Sequence, residues 1–483
     1  MQNTIKWRVL RGFGEVVRAH RVWFLAFAGA ALILRFLFVF RFLMYTPDSL
    51  LYADFAKTWI QYHVYGVSSP DGPIPADFRL PGYPAYLALC FLIAGIDHYG
   101  AACIGQVFVD LGTCFLVAAL AWRIADERAA RWAFALAALC PFLANYAGTA
   151  LTETWSIFFA ALALLLATYG AGALRNAQES LRPWAWCGLA IGAGVLLRPD
   201  GGMLLVALLL WLAWRFFRSR AHPSNHGQGG VPARIFKAAL LVGTFTLVPL
   251  APWTIRNAIT LHEFRPLPPV MVAGPGEYYP QGFIHWVRTW IVDYASLEDI
   301  GFKVSGEEIP FNRVPNRAFD TPEQRQRTEE LFTAYNETVE MPPELDAKFA
   351  EMARERIRRN PLRHYVVLPA LCALDMWLRP RTEMLPVDTH WWEFENDPRD
   401  SGIAIAFAVL NLALLATAAW SLRNSRSMPY VGMLLTFVVV RTMLLTVFTP
   451  PEPRYVLECF PVVLALAGAV ASRRSPVAEK ASP

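Results

Sequence analysis

The chain has 483 residues, of which 55% are hydrophobic and only 17% charged, with 17 Trp and a mean hydropathy of +0.32. A soluble protein of this size carries more charge, so the composition excludes an ordinary soluble domain and indicates a polytopic membrane protein. A net charge of +5 is too small to suggest a nucleic-acid partner, and seven scattered Cys without C-x-x-C or a Cys/His cluster exclude a disulfide framework and a structural zinc site.

The N-terminal stretch MQNTIKWRVLRGFGEVVRAHR is basic but has no small-residue cleavage site after a short apolar core, so the apolar run that follows reads as a retained span. A helix needs about 20 mostly apolar residues to cross the hydrocarbon core. Spans are therefore expected at 22–43, 101–122, 132–149, 154–173, 184–198, 202–217, 237–255, 402–421, 428–448 and 455–471. Lys and Arg gather at the N-terminus and in segments 123–131, 174–182, 215–237, 422–426 and 472–475. Placing all of these in the cytoplasm satisfies the positive-inside rule and alternates correctly through the spans. Segments 44–100 and 256–401 then face outward.

Segment 364–381, HYVVLPALCALDMWLRPR, is apolar but short and carries Pro369 and Asp375. It reads as a helix lying in the outer interface, because a crossing there would turn the Arg-rich ends outward. The preceding polar region holds two helical patterns. Thr321, Pro322 and Gln324 have cap and first-turn chemistry. Leu345, Phe349, Met352 and Arg356 share one helical face. The expected organisation is an N-terminal transmembrane catalytic module (1–257), an extracytoplasmic, mainly helical subdomain (258–401) and C-terminal transmembrane helices with a tail (402–483). No strand alternation calls for a sheet, and no internal repeat is visible. The fold class is thus all-α, polytopic, with about ten spans.

With this topology, five separated segments deliver ionisable groups to one face. Asp48, Tyr52 and Asp54 follow the first span, Glu153 opens the fourth, and Arg198 and Asp200 lie between the fifth and sixth. Arg256 and Asn257 end the seventh, and Glu452, Arg454 and Tyr455 begin the last. Each has a local reading: Arg41 suits snorkelling, Asp200 between Pro199 and Gly201 suits a turn, and Thr152-Glu153 suits a helix N-terminus. Arg35, two turns deeper than Arg41, suits a structural pair with Asp110 in the second span. The local readings leave the one-sided convergence unexplained, and ionisable groups at membrane depth default to function.

Arginines suit a phosphate, which they bind bidentately without titrating. A carboxylate beside them suits a general base for an attacking hydroxyl. Nucleotide sugars are cytoplasmic, so an outward site at membrane depth is best served by a lipid-borne phosphate. A polyprenyl-phosphate sugar fits. Asp48 and Asp54 are six apart and do not share a helical face, which disfavours a paired-carboxylate mechanism.

These residues resemble the C-class integral-membrane glycosyltransferases, closest to the protein O-mannosyltransferase and aminoarabinose-transferase group. PDSLLYADFAK followed by RLPGYPAYLALCFLIAG looks like that family's first outer loop. The resemblance implies that Asp48, with Tyr52, is the catalytic base. It also implies that Arg79, Pro81 and Tyr83 form the interfacial substrate motif, although R-L-P-G-Y-P is more closely spaced than the family pattern. Glu153, Pro252-Trp253 with Arg256-Asn257, and Arg454-Tyr455 with Pro461 match further positions. Substrate contacts are therefore expected from Tyr52, Asp54, Arg79, Tyr83, Glu153, Arg198, Arg256, Asn257, Arg454 and Tyr455. Some relatives use a divalent metal, for which Asp48 and Glu153 are the candidates. The implied activity is inverting transfer of a sugar from a polyprenyl-phosphate donor to an extracytoplasmic protein, lipid or glycan. The Ala- and Arg-rich composition and short loops suggest a bacterial inner membrane, with the site facing the periplasm. A transporter or flippase for a lipid-linked or amphipathic substrate, and a non-catalytic membrane subunit, are the alternatives.

Overall fold

A computed structural model of the chain describes residues 5–174, 178–221, 231–269, 278–423, 428–448 and 450–472. Parts of the basic segments 174–182, 215–237, 422–426 and 472–475, and of the stretch PPVMVAGPGEYYPQGF, lie outside the described residues. The chain is an all-α, polytopic integral membrane protein. Seven helices among the described residues are long and apolar enough to cross a bilayer: Arg21–Arg41, Tyr99–Ile124, Glu153–Ala173, Pro199–Ala221, Val231–Thr260, Pro398–Ser421 and Val431–Phe448.

The other three expected spans form shorter helices, each for a local reason. The run 132–149 breaks into Glu127–Leu139 and Pro141–Ala147. Pro141 has no N–H to continue the ladder and disfavours helical backbone at Cys140, which is extended with φ −69° and ψ 109°. Arg182–Leu197 is 16 residues long. The last run opens with a 3₁₀ stretch, Pro453–Cys459, before Phe460–Ala469, every residue of which is buried. That helix is wrapped by protein and not by lipid.

The expected Arg35–Asp110 pair is present. Arg35 is completely buried and its Nε donates to Asp110 Oδ2 at 2.6 Å. The guanidinium also donates to the carbonyls of Ala137, at 3.0 Å, and Ala138. These carbonyls lie at the break before Pro141, where Ala137 O also accepts from Cys140 N at 3.3 Å, so Arg35 caps the broken helix as well as pairing with the acid. Arg35→Leu is expected to cost about 3–5 kcal/mol in a denaturation assay in detergent, because it strands a buried carboxylate and removes a donor from two carbonyls. Adding Asp110→Leu is expected to restore only part of the loss, since the carbonyls still lack the guanidinium donor.

Outside the spans, a second apolar core forms around Phe283, Trp286, Trp290, Phe332 and Phe349. Thr321 caps helix Pro322–Asn336 by accepting from Gln324 N at 3.2 Å, while Gln324 Oε1 accepts from Asp320 N at 3.0 Å. Leu345, Phe349, Met352 and Arg356 are all buried along Pro343–Arg359, as their spacing predicts. Segment 364–381 is helical through Arg363–Val367 and Leu368–Leu378. Just before it, Arg363 Nη1 meets Asp320 Oδ1 at 2.7 Å, and near its end Asp375 Oδ2 accepts from Tyr294 N at 3.1 Å. Both ends therefore touch this extramembrane unit. The one sheet among the described residues is a two-stranded antiparallel ribbon, Gly66–Val67 with Ile74–Pro75, in the first outer loop.

Candidate active site

The stretch Thr46-Pro47-Asp48-Ser49 builds the site's central helix, Pro47–Tyr62. Thr46 Oγ1 accepts from Ser49 N at 3.2 Å, and Ser49 Oγ accepts from Thr46 N at 3.1 Å, a reciprocal cap with Pro47 in the first turn. Asp48 sits in that first turn, where the helix N-terminus favours negative charge. A backbone bond from Met44 N to Gly148 O, at 3.3 Å, ties the approach to this helix to the turn that precedes Glu153.

Two arginines from distant parts of the chain close on Asp48. Arg79 Nη2 donates to Oδ1 at 3.0 Å and Arg454 Nη2 to Oδ2 at 3.2 Å. Asp48 and Arg454 are 406 residues apart in sequence. Burial alone would raise the Asp48 pKa, but the charges of Arg454 and Arg79 outweigh it and hold the carboxyl below its ordinary range. Tyr52, one turn on, lies 5.9 Å beneath the Arg79 guanidinium. Burial, helped by the Asp48 charge, pushes its hydroxyl up to about 12, so it stays protonated. Arg79 Nε is buried and has no hydrogen-bond partner among the described residues.

The ion pairs continue past Asp48. Arg454 Nε meets Glu452 Oε2 at 2.5 Å and its Nη1 lies 3.8 Å from Glu153 Oε1. Glu153 also accepts from Arg198 Nη1 at 2.5 Å, and Arg198 Nε donates to Asp200 Oδ1 at 3.0 Å. Asp200 Oδ2 then accepts from Arg441 Nη2 at 2.7 Å, and Arg441 Nη1 reaches Glu458 Oε2 at 2.9 Å. Tyr455 lies under both Arg198 and Arg454, at 4.7 and 5.5 Å, and its hydroxyl donates to Glu452 at 2.5 Å. Acids and arginines thus alternate in one chain of contacts.

Of the residues expected at the site, Asp48, Tyr52, Arg79, Glu153, Arg198, Arg454 and Tyr455 come together. Tyr83 packs edge-on against Tyr52, with ring centroids 5.3 Å apart, whereas Asp54, Arg256 and Asn257 are not brought into this cluster, because each holds something else. Asp54 accepts from Ser68 N and Oγ, at 2.8 and 2.5 Å, and braces the first outer loop. Tyr83 is fully buried and donates to Gln106 Oε1 at 2.8 Å, while the Gln106 amide donates to Thr149 O at 2.8 Å. Arg256 donates to the carbonyls of Ala76, at 3.1 Å, and Tyr65. Asn257 is buried and donates to Arg265 O at 2.8 Å. Arg441 and Glu458 join the network without having been anticipated, although an Arg inside an apolar span is itself a signal.

The closely spaced R-L-P-G-Y-P motif has a geometric cause. A Cβ on Gly82 would lie 2.6 Å from Leu196 O, two residues before Arg198. Glycine allows the helix that follows Arg79 to press against the end of Arg182–Leu197, which sets Arg79 and Arg198 at one depth. Gly82→Ala is expected to lower both thermal stability and activity measurably, since backbone cannot yield as a side chain can.

A divalent metal on Asp48 and Glu153 does not fit this donor set. Such a cation wants free carboxylate oxygens. Both Asp48 oxygens face guanidinium groups, and Glu153 Oε1 faces Arg198.

Residues 75–255 match the model of the dolichyl-phosphate-mannose-protein mannosyltransferase family. The match includes Arg79, Glu153 and Arg198 and leaves Asp48 and Arg454 outside it. The fold is shared with the archaeal oligosaccharyltransferase AglB from Archaeoglobus fulgidus, solved with an inhibitory peptide and a dolichol-phosphate: 13% identity, TM-score 0.50, 94% of this chain and 50% of that one. The chain therefore spans about half the length of that neighbour. ArnT from Cupriavidus metallidurans, solved bound to undecaprenyl phosphate, is 15% identical with a TM-score of 0.42, over 93% of this chain and 77% of that one. No curated protein matches the sequence. The family match covers residues 75–255, and the archaeal neighbour shows the shared fold.

Proposed function

We propose that this chain is a glycosyltransferase that moves a sugar from a polyprenyl-phosphate donor to an acceptor outside the cytoplasm. The observation that carries the reading is the meeting of Asp48 with Arg79 and Arg454, at 3.0 and 3.2 Å, from opposite ends of the sequence. The mannosyltransferase family match over 75–255 supports glycosyl transfer. A protein of the same fold holds a dolichol-phosphate, which is a phosphate on a membrane-borne chain.

In this mechanism the donor phosphate enters beside Arg79, whose Nε has no hydrogen-bond partner among the described residues, and Arg454. The acceptor O–H attacks the anomeric carbon from the face opposite the phosphate. As the new C–O bond forms, the C–O bond to phosphate breaks, and the acceptor proton passes to the Asp48 carboxylate. The leaving polyprenyl phosphate keeps the bonding electrons, and the arginines stabilise its added charge. Donor binding also draws positive charge away from Asp48, which makes the carboxylate a better base when substrate is present. Glu153, Glu452 and Asp200 hold Arg454 and Arg198 in place. The basic loops on the opposite side of the spans support an extracytoplasmic site, in a bacterial inner membrane facing the periplasm.

Mass spectrometry of cell-envelope glycans and polyprenyl-phosphate sugars, with and without the protein, tests this reading. An accumulating lipid-phosphate sugar and a missing glycan modification are the expected result. Unchanged profiles of both would remove it.

A further inference from the structure

Two arginines that are 1% and 0% exposed, Arg381 and Arg441, bond to the carbonyls on either side of Arg454. Arg381 Nη1 donates to Pro453 O at 3.0 Å, and Arg441 Nε donates to Tyr455 O at 3.0 Å. Arg454 lies at the start of the 3₁₀ stretch Pro453–Cys459, and 3₁₀ hydrogen bonds have poorer geometry than those of an α-helix. Pro451 and Pro453, on either side of Glu452, remove two backbone donors just before it. The direction of the Arg454 side chain therefore depends on support from outside its own stretch.

Each arginine carries that support to a different part of the fold. Arg381 Nη2 donates to Met376 O at 3.0 Å, near the end of Leu368–Leu378, and its Nε donates to Asn411 Oδ1 at 3.4 Å, in the span Pro398–Ser421. Arg441 lies in the span Val431–Phe448. Its Nη1 donates to Asp200 O at 3.1 Å and its Nη2 to Asp200 Oδ2 at 2.7 Å. Asp200 is the acid that pairs with Arg198. Arg441 thus joins the stretch that carries Arg454 to the turn that carries the partner of Arg198. Each guanidinium points its nitrogens in several fixed directions at once, which the compact ammonium of a lysine cannot do. Neutralising Glu458, 2.9 Å from Arg441, would take only one of these contacts.

We propose that Arg381 and Arg441 are positioning residues. By holding the backbone on both sides of Arg454 they aim its guanidinium, and Arg441 also aims Arg198 through Asp200. The proposal rests on the reading above, in which Arg454 meets the donor phosphate.

Binding of polyprenyl phosphate to the full-length protein in lipid nanodiscs tests it. Arg381→Lys and Arg441→Lys keep the charge and lose the fork, and each is expected to weaken binding about tenfold. In an Arg454→Lys protein, Arg381→Lys is expected to cost less than about twofold more, because the group it aims has gone. Arg441→Lys is expected to cost about threefold there, the remainder acting through Arg198. In turnover assays the single variants are expected to raise donor KM more than they lower kcat. Arg441→Met with Glu458→Met removes a buried pair together, so it is expected to keep a Tm near that of the wild type while repeating the loss of binding. Equal losses in the wild-type and Arg454→Lys backgrounds, or undiminished binding in the folded variants, would overturn the proposal. If binding follows the expected pattern while the wild type transfers no sugar, the positioning role stands and the glycosyltransferase reading falls.

Discussion

Asp48→Asn is expected to lower sugar transfer by about a thousandfold or more, with a folded protein that still binds polyprenyl phosphate. A positioned general base contributes roughly 10²–10⁴ in rate, and the amide cannot accept the proton. The same change frees Arg79 and Arg454 from their carboxylate partner, so donor affinity is expected to hold or rise. That opposite movement of binding and turnover separates a lost base from a damaged site. The pH dependence has a definite sign. Asp48 acts when ionised, and its pKa in the free protein is lowered by Arg454 and Arg79, so the acid limb of kcat/KM is expected below the ordinary carboxylate range. When the donor phosphate shares the arginines, the limb in kcat is expected at higher pH than the limb in kcat/KM. The ion pairs of Asp48 likewise stabilise the fold above the unfolded carboxylate range and lose that effect as pH falls through the lowered value. Near-normal turnover in Asp48→Asn would remove Asp48 from the chemistry.

How much of this was readable in the chain depended on where each charge sat. Asp48, Glu153, Arg198 and Arg454 follow or precede apolar runs, so hydropathy and basic loops assigned them to one side, and one side is where they meet. Arg441 and Glu458 were missed because VVVRTMLL and YVLECFP read as lipid-crossing sequence, while both side chains are buried in protein. Hydropathy reports the cost of a charge in lipid and not whether a partner waits in the fold. Arg256 shows the opposite effect, with its hydrogen bonds going to backbone away from the cluster. A motif assigns a residue to a neighbourhood, but whether its hydrogen bonds point to substrate or to backbone depends on packing far away in sequence, as with Arg256 and Tyr65, 191 residues apart. The break at Pro141 was legible as a residue but overridden by the apolar count around it. Its repair by Arg35 lies 102 residues from Ala137 in sequence, beyond any local pattern.

Arg454→Lys is the sharper test of the phosphate site, because it keeps the charge and removes the geometry. Three nitrogens of Arg454 address three different carboxylates: Asp48 at 3.2 Å, Glu452 at 2.5 Å and Glu153 at 3.8 Å. An ammonium is a compact point charge on a flexible stem and cannot hold that fork while also meeting a phosphate. Donor KM is therefore expected to rise and kcat/KM to fall by about a hundredfold, roughly 3 kcal/mol of lost transition-state stabilisation, with thermal stability near that of the wild type. Arg454→Ala is expected to do more. Glu153 and Glu452 are buried and would lose a shared cation, and breaking buried pairs of this kind costs about 3–5 kcal/mol. The contrast with Arg79 follows from the same count. Arg79 faces one carboxylate and is partly exposed, so Arg79→Lys is expected to weaken donor binding with a smaller loss of rate and no loss of stability. If Arg454→Lys bound and turned over donor like the wild type, Arg454 would be a brace for its three acids and not the hand that holds the phosphate.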